Sequence, residues 1–362
     1  MKGALKLIPI ALSALLLLCA GVDRENVLPM YTSSIDLTTD GRVVLANKGT
    51  REVVILAKDG QVAQRWALEE PATGVAVAGD KLFVTSSHAK GFLSCISLSD
   101  GQVLYRAETA MGACAPVVSL DGEKVYVMNR YRGTVSEVNA STGEVLRSVA
   151  VLREPCDAVL SPDGRYLYVN NHFPAQRADV DYVAADVSVI DCQSFERVKD
   201  IKLSNGSNAL RGIACSPDGR YVFVSHNLGR FQVPTSQLQQ GWMNTNAVSV
   251  IDTSTQSLVG SISLDEPDRG AGGIWDVKCD GQWLVTSQSG THDVSIVDYK
   301  AMIEKLNAYA DKSKLDYDLY FMRGIRVRLP IEGNGPRAMA MRDGKIYLPT
   351  YFSDTLNIVD VV

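Results

Sequence analysis

A unit of roughly 40 to 55 residues recurs along the chain, and this repeat restricts the fold more than any other feature of the sequence. The clearest copies begin at Cys156 and Arg211, and each carries the turn sequence Ser-Pro-Asp-Gly. Proline presets φ and glycine accepts a positive φ, which favours a tight turn between two strands. A later strand, Val-Ser-Val-Ile-Asp, alternates as a half-buried strand does, at 187–191 and at 248–252. Each unit therefore predicts four short antiparallel strands.

Four-stranded units at this period predict the blades of an all-β propeller. Six blades have a predicted outermost strand, at 61–67, 102–107, 144–149, 197–203, 258–264 and 325–329. The seventh has three predicted strands, at 337–341, 345–350 and 355–361. We expect the apolar segment 27–32 to supply its missing outer strand, because closing the ring removes a free sheet edge. The sequence thus predicts one seven-bladed β-propeller domain over 27–362, with four-stranded antiparallel blades and a ring closed by an N-terminal strand.

The residue pattern of the repeat resembles that of the YVTN family of β-propellers, which includes surface-layer proteins and YncE-like periplasmic proteins. The resemblance rests on Tyr-Val-Asn-Asn at 168–171 and on the Ser-Pro-Asp-Gly turns and Val-Ser-Val-Ile-Asp strands of blades four and five. It covers nearly all of the expected domain and is clearest in blades three to five. Longer relatives of this type join the propeller to a c-type haem domain that resembles cytochrome c peroxidase. The sequence holds no Cys-x-x-Cys-His, so the resemblance implies that any haem belongs to a separate partner chain.

The first residues have the pattern of an export signal. Lys2 and Lys6 precede an apolar run over 7–18, which is too short to span a hydrocarbon layer of about 30 Å. Two cleavage interpretations stay open: 16–19 resembles a lipobox ending at Cys19, whereas 18–20 resembles an ordinary small-residue cleavage site. We expect residues 1–20 to be a signal peptide or lipoprotein signal. The protein is then exported to the periplasm or cell envelope, and lipidation of Cys19 would tether it to a membrane.

Composition and motifs exclude several classes of function. The net charge of −5 disfavours a nucleic-acid or anionic-membrane binder. The sequence has no Cys-x-x-Cys pair, phosphate-binding loop, His-Glu-x-x-His or Gly-x-Ser-x-Gly, so no cofactor is expected. Because inner strands of neighbouring blades diverge beyond the roughly 7 Å Cα limit of a disulfide, Cys114 and Cys156 are expected to remain separate thiols.

All four histidines follow a predicted second strand, which places them on one rim of the expected propeller: His88, His172, His226 and His292. One interpretation is a ring of metal ligands, since neutral imidazole suits zinc and copper. The other is a set of polar loop residues on separate blades, too far apart to share an ion. We favour the second interpretation and expect no metal.

Two candidate binding features lie on the same rim. Long loops follow His172 and His226, and loops of this length are uncommon without a functional or structural reason. The second loop is either a partner interface with exposed Arg230 and Trp242, or a lid that buries Trp242. The first-strand starts are expected to reach the channel mouth: Ser33, Thr73, Cys114, Cys156, Arg211, Gly273 and Arg337. Arg211 and Arg337 are the candidates there for binding a carboxylate or phosphate.

One insertion has helical spacing. Met302, Leu306 and Ala310 recur at helical intervals within 299–311, between the third and fourth strands of blade six. The spacing predicts a helix that covers the side opposite the long loops.

The sequence favours an exported, non-enzymatic binding or scaffold module that presents its loop-rich face to an unidentified protein or small ligand. One alternative is an accessory subunit of a cytochrome c peroxidase-like redox system whose cytochrome is a separate chain. A further alternative is a propeller hydrolase of the lactonase type, with Arg211 and His226 in its site. A shared architecture does not decide among these three functions.

Overall fold

The computed structural model describes residues 8–11 by their backbone and residues 28–230 and 243–361 in full. These residues form seven antiparallel sheets, each of which is one blade. The seven-bladed β-propeller expected from the repeat is therefore confirmed. Most strands begin and end within one or two residues of their expected bounds, because the Asp-Gly and Thr-Gly turns mark the ends of the strands in the sequence itself.

The strands fall into blades in chain order, apart from β1 (Ile8–Ala11), which belongs to blade 7. Blade 1 has β2 (Thr32–Leu37), β3 (Val43–Asn47), β4 (Glu52–Leu56) and β5 (Val62–Ala67), and blade 2 has β6 (Ala72–Ala78), β7 (Lys81–Ser87), β8 (Gly91–Ser97) and β9 (Val103–Glu108). Blade 3 has β10 (Ala113–Val118), β11 (Lys124–Asn129), β12 (Thr134–Asn139) and β13 (Val145–Ala150), and blade 4 has β14 (Pro155–Leu160), β15 (Tyr166–Asn171), β16 (Asp186–Asp191) and β17 (Glu196–Lys202).

Blade 5 carries one additional short strand: β18 (Ser207–Asn208), β19 (Ile213–Cys215), β20 (Tyr221–Gly229), β21 (Asn244–Asp252) and β22 (Ser257–Ser263). Blade 6 has β23 (Ile274–Cys279), β24 (Trp283–Gln288), β25 (Asp293–Asp298) and β26 (Arg326–Pro330), and blade 7 adds β27 (Ala340–Arg342), β28 (Lys345–Pro349) and β29 (Thr355–Asp360) to β1.

The chain divides into two compact units, which are described separately below. The first unit comprises Met1–Asn129, Ser136–Leu146 and Pro330–Val362, and the second comprises Arg130–Val135 and Arg147–Leu329. In both units the two middle strands of a blade are buried along nearly their whole length, whereas outermost strands such as β5 alternate between partly buried and exposed residues. The buried apolar side chains of the middle strands pack against the sheet of an adjacent blade in the same unit.

The strand that completes blade 7 is not the one expected. Antiparallel pairing joins β1 to β29, from Ile8 opposite Ile358 to Ala11 opposite Thr355. Placing the outer strand at 27–32 was wrong, because residues 28–31 form no strand and Thr32 already begins β2. An N-terminal strand does complete the blade, but it lies within the segment that we expect to be an export signal. The strand that closes blade 7 and the expected export signal therefore occupy the same residues, Ile8–Ala11.

Residues 28–31 are held by other contacts within the first unit. The Met30 side chain is buried, and its backbone N–H donates to the Asp354 carboxylate at 3.1 Å. The ring of Tyr31 stacks on that of Tyr351, with 5.0 Å between centroids. Tyr31 also has a φ of 49°, which turns the chain into β2 instead of extending it beside β29. Apolar composition alone did not distinguish this packed segment from a strand.

The expected helix is present as α1 (Tyr299–Ala308), and it ends three residues earlier than the spacing predicts. The Asp298 side chain caps it by accepting the Ala301 N–H at 3.0 Å. Met302 and Leu306 are buried in one core cluster with Phe223 and Leu284 of blades 5 and 6. A short 3-10 helix, Lys312–Tyr317, follows. In the described part of the chain, no helix is long and apolar enough to cross a membrane.

The turn between the third and fourth strands is a point of contact between successive blades. In blade 3 this turn contains Gly143, whose φ is 76°, and a Cβ there would lie 2.4 Å from the Cδ2 atom of Tyr105 on β9. Gly101 has the same relation to Trp66 on β5, at 2.3 Å from its Nε1 atom. Two features therefore require glycine at each of these positions: the positive φ of the backbone, and the aromatic ring that leaves no room for a Cβ.

We expect Gly143→Ala to destabilise the protein more than Gly122→Ala. Both glycines have a positive φ, but a Cβ at Gly122 meets nothing within 4 Å. Gly122→Ala should therefore cost only the backbone strain, about 1–2 kcal/mol, and Gly143→Ala should cost about 1–3 kcal/mol more because of the clash. Urea unfolding of the two variants measures the difference. Equal losses of stability would show that the contact with Tyr105 relaxes freely.

Candidate functional site

One edge of the second unit carries three of the candidate residues, His172, Arg211 and His292. Antiparallel strands alternate in direction, so the loops between second and third strands lie at the same edge as the loops that lead to the next blade. We call this edge of the second unit the loop edge; among the described residues it comprises 130–133, 151–154, 172–185, 203–212, 264–273 and 289–292.

Arg211 lies flat against Trp275 at this edge. The guanidinium carbon of Arg211 is 3.6 Å from the centre of the Trp275 ring, a close cation–π contact. The backbone positions the pair, because the Gly212 N–H donates to the Trp275 carbonyl at 2.9 Å. The expected place of Gly273 at this position was wrong. A register shift between Ile274 and Val277 instead gives Trp275 the position that Cys156 and Arg211 have in their blades.

His172 lies at the loop edge, directly after β15 of blade 4. Its Nδ1 atom is 2.6 Å from the Leu210 carbonyl oxygen, which can only accept, so Nδ1 carries the proton. Burial and, to a lesser degree, the positive charges of Arg130 and Arg211 lower the pKa of His172 to about 4, against the opposing effect of the hydrogen bond to the Leu210 carbonyl. His172 is therefore neutral at pH 7 and serves as a structural hydrogen-bond donor.

Two further arginines and two aromatic rings surround His172. The Phe173 ring meets the His172 ring edge-on at 4.3 Å, and the guanidinium carbon of Arg153 is 5.5 Å from the centre of the Phe173 ring. Arg130 forms an ion pair with Glu154 at 3.1 Å and lies 5.8 Å from the ring centre of Tyr131. We call this group the His172 cluster; it comprises Arg130, Tyr131, Arg153, Glu154, His172, Phe173, Arg211 and Trp275. It holds three arginines and one carboxylate.

Two carboxylates lie on the inner strands next to the cluster. Asp157 and Asp276 have equivalent positions in blades 4 and 6, and Gly212 has that position in blade 5. A Cβ at Gly212 would lie 2.6 Å from Oδ1 of Asp276, so only glycine fits there. Desolvation raises the pKa of Asp157 to about 7, the negative charge of Asp276 adds to this effect, and Lys278 opposes it. The Asp276 carboxylate accepts from Lys278 Nζ at 3.0 Å.

Three of the side chains expected at the channel mouth bond to the next blade. The Ser33 hydroxyl donates to the Ala72 carbonyl at 2.9 Å, and the Thr73 hydroxyl donates to the Ala113 carbonyl at 2.6 Å, both within the first unit. In the second unit the Cys156 thiol donates to the Leu210 carbonyl at 3.1 Å. These residues join blades, which the sequence did not indicate because their partners are backbone atoms. Among the described residues, Cys95, Cys215 and Cys279 are free thiols.

Arg337 lies in the first unit and is described there by itself. Its guanidinium carbon lies 4.0 Å from the ring centre of Tyr351 and 4.7 Å from that of Phe352. Burial lowers the pKa of Arg337, which remains charged at neutral pH. Its role as an anion ligand stays a prediction, and no joint site with Arg211 is assigned.

The four histidines differ in their surroundings. His88 is exposed in the first unit, and His292 is partly buried in the turn after β24 of the second. His226 is not in a loop as expected, because β20 continues to Gly229 and encloses it completely. Among the described residues no three potential ligands are close enough to hold a metal ion.

Arg230 is buried, with only 6% of its surface exposed, so its expected exposure was wrong. Its Nε atom donates to the Thr245 hydroxyl at 3.0 Å, and its guanidinium stacks on the Tyr317 ring at 4.0 Å. Arg230 therefore fixes the segment after α1 to blade 5. Trp242 and Cys19 lie outside the described residues, and the interpretations of the long loop as interface or lid both stay open.

We expect Asp157→Asn to change how stability depends on pH. A carboxyl group whose pKa is higher in the folded than in the unfolded protein stabilises the fold at low pH, and this contribution is lost as the pH rises through about 4 to 7. The asparagine variant lacks this loss. The melting temperature of the variant relative to wild type should therefore rise by roughly 2 °C or more between about pH 5 and pH 8. A constant difference across this range would contradict the raised pKa of Asp157.

Comparison with protein families agrees with this architecture. A family model described as PQQ_2, outer membrane protein assembly factor BamB, matches residues 49–254, which is more than half of the chain. The chain belongs to this propeller family. The propeller part of the resemblance drawn from the repeats is therefore confirmed, whereas its narrower assignment to the YVTN type is not.

Individual relatives extend the comparison of this BamB-family propeller. Hydrazine synthase subunit beta of Kuenenia stuttgartiensis is 28% identical over 180 residues, which cover 48% of this chain and 46% of the relative. The match thus spans less than half the length of that relative. The solved Kuenenia stuttgartiensis hydrazine synthase contains a chain with a TM-score of 0.83 at 22% identity, covering 94% of this chain and 99% of that chain.

A second solved structure is similar at lower identity. Virginiamycin B lyase from Staphylococcus aureus has a TM-score of 0.69 at 11% identity, covering 99% of this chain and 100% of that chain. At such identities the similarity shows the fold alone.

Proposed function

We propose that this chain is a non-enzymatic propeller subunit that binds a protein partner through the His172 cluster. The observation that carries the proposal is the set of arginines held against aromatic rings at one edge, beside Tyr131, which is 59% exposed. Arginine and aromatic side chains dominate binding energy at protein interfaces. An arginine already held by a ring also loses less conformational freedom when a partner binds.

The chemistry of the cluster indicates what kind of partner it binds. Three arginines face one glutamate, so the cluster suits a surface that presents carboxylates, although the whole chain has a net charge of −5. The name of one relative, a synthase subunit, supports a role for this chain within an assembly of several chains. The proposal also includes that the protein is exported to the periplasm or cell envelope, and that its repeat is of the YVTN type.

The alternative of a lactonase-type hydrolase receives no support from the two residues suggested for it. His226 is enclosed in blade 5, and both of its ring nitrogens are engaged, Nδ1 with the Asn227 carbonyl at 3.0 Å and Nε2 with the Ser249 hydroxyl at 2.7 Å. Arg211 is stacked on Trp275 at the loop edge. Neither residue presents a group to a shared substrate site.

The test replaces one arginine at the loop edge and a matched arginine at the opposite edge of the same blade. Arg153 and Arg165 are both exposed and both lie over an aromatic ring, Phe173 and Tyr166 respectively. The full chain is purified from its native host with its bound partner, and affinities are then measured with the purified components. Arg153→Ala should weaken binding about tenfold or more, equivalent to about 1.4 kcal/mol, while Arg165→Ala should leave it nearly unchanged.

The melting temperatures of both variants should stay close to that of the wild type, since both arginines are exposed. Visible absorbance of the purified complex decides whether the partner is a c-type cytochrome. A chain that is purified without any partner, or equal effects of the two substitutions, would contradict the proposed interface.

A further inference from the structure

The ion pair between Arg130 and Glu154 joins one edge of the guanidinium to a single carboxylate oxygen. Nε and Nη2 of Arg130 both lie 3.1 Å from Oε2 of Glu154. The strongest pairs of arginine with a carboxylate instead bring two oxygens to two N–H donors, in two parallel hydrogen bonds. The contact between Arg130 and Glu154 therefore falls short of the geometry that the same guanidinium edge can form with another carboxylate.

This ion pair is accessible to solvent at the loop edge. The side chain of Arg130 is 32% exposed, and that of Glu154 is 25% exposed. Water and salt screen charges at such exposure, so ion pairs near the surface contribute little to stability. Separating Glu154 from Arg130 therefore costs little free energy, and a charged group of a binding partner can reach both side chains.

Arg130 has a second contact that does not depend on Glu154. Its guanidinium carbon lies 5.8 Å from the ring centre of Tyr131, which is within the range of a cation–π interaction. Tyr131 is 59% exposed, so this contact also lies at the surface. Arg130 therefore stays at the loop edge when the Glu154 carboxylate moves away.

The backbone of Glu154 has a conformation that suits glycine better. Glu154 directly precedes β14, and its φ of 57° lies in the left-handed region. The same position holds glycine in blades 3, 6 and 7, with φ between 70° and 86°: Gly112, Gly273 and Gly335. The other three blades have uncharged residues there: Tyr31, Pro71 and Ala209. A charged side chain that is kept in a strained conformation points to a function of that side chain.

The charges of the His172 cluster suit an exchange of one carboxylate for another. The positive charges of Arg130 and Arg211 and the negative charge of Glu154 all act on His172, so they lie around one point. When a carboxylate of a partner takes the place of Glu154, Arg130 remains paired. The exchange therefore leaves no guanidinium without a counter-charge in the interface, which would be costly.

We propose that Glu154 is an internal carboxylate that pairs with Arg130 in the unbound protein and is displaced by a carboxylate of the partner. The partner's carboxylate then accepts from Nε and Nη2 of Arg130 through two oxygens. This inference rests on the proposed function, because it assigns the recognition of a carboxylate to one arginine of the His172 cluster. A neutral or basic group cannot replace Glu154 at Arg130, so Glu154 also selects against partners that lack a carboxylate.

Glu154→Gly tests the displacement in affinity measurements with the full chain and its purified partner. Without the internal carboxylate, binding should become tighter by about threefold or more, the range expected for an exposed ion pair. Unchanged or weaker binding would overturn the proposal, because Glu154 would then have no effect on Arg130 or would hold it in place for the partner.

Asp343→Gly is the matched control for this substitution. Asp343 is exposed, has a φ of 51° and lies in the turn between β27 and β28 of the first unit. Its replacement also removes one carboxylate and one side chain from the left-handed region. The affinity should change by less than about twofold, because the lost charge lies outside the His172 cluster. An equal gain in Asp343→Gly and Glu154→Gly would overturn the proposal.

Glu154→Gln separates the charge of Glu154 from its backbone strain. Glutamine keeps a side chain at a φ of 57° but pairs with Arg130 without a negative charge, so binding should again become tighter than in the wild type. This variant also replaces Glu154→Gly if the latter does not fold. Affinity equal to that of the wild type would overturn the proposal, since any gain in Glu154→Gly would then come from the backbone.

A double-mutant cycle shows whether Glu154 acts through Arg130. Arg130→Ala should weaken binding about tenfold or more, as expected for an arginine that anchors an interface. In the Arg130→Ala background, Glu154→Gly should give little of its gain, because no guanidinium is left to compete for. The same gain in both backgrounds would overturn the proposal, since Glu154 would then act only by repelling an acidic surface.

Arg153→Ala distinguishes a failure of this inference from a failure of the proposed function. If Arg153→Ala leaves the affinity unchanged, the partner does not bind at the His172 cluster and both proposals are wrong. If Arg153→Ala weakens binding while Glu154→Gly does not strengthen it, the interface is supported and only the displacement of Glu154 is wrong.

Discussion

A single four-stranded sheet cannot bury its own faces, so within each unit the blades depend on bonds and contacts with their neighbours. The inner strands supply hydroxyl and thiol groups that donate to backbone carbonyls of the following blade, such as Ser33 to Ala72 and Cys156 to Leu210. The outer strands supply aromatic rings that pack on turn glycines, such as Tyr105 on Gly143. The apolar middle strands lie between these two layers of contacts. Stability is thus a sum of neighbour contacts, as expected for repeat proteins.

This dependence also decides which positions are available for binding. Ser33, Thr73 and Cys156, at the starts of inner strands, are used for contacts between blades. Arg211 and Trp275 have equivalent positions in blades 5 and 6, and at this place the Gly212 N–H and the Ser225 hydroxyl both donate to the Trp275 carbonyl. The contact between these two blades therefore uses neither the Arg211 guanidinium nor the Trp275 ring, and the two side chains stack on each other at the loop edge.

A line of polar groups runs through blade 5 to the insertion of blade 6. Ser249 of β21 and Ser261 of β22 face each other and place two hydroxyls inside the blade. Serines of the third strand are also buried in other blades, such as Ser188 in blade 4 and Ser295 in blade 6. A buried polar group is costly unless it is bonded, and here the bonds form one continuous line from His226 through Ser249, Ser261 and Ser204 to Asp316. Arg230, directly after β20, adds a buried charge that donates to the Thr245 hydroxyl.

The sequence by itself determined the blades, because each Asp-Gly or Thr-Gly turn and each apolar run is a local signal that neighbouring residues carry. It also determined the helix α1, whose Met302 and Leu306 are spaced for one buried face. Only the tertiary structure decided which residues meet across blades. Arg211 meets Trp275 through a register shift, and His226 meets Asp316 through three serines separated by many residues in the chain. Only the structure, again, placed the outer strand of blade 7 at Ile8–Ala11, because strand pairing depends on backbone partners and not on apolar composition.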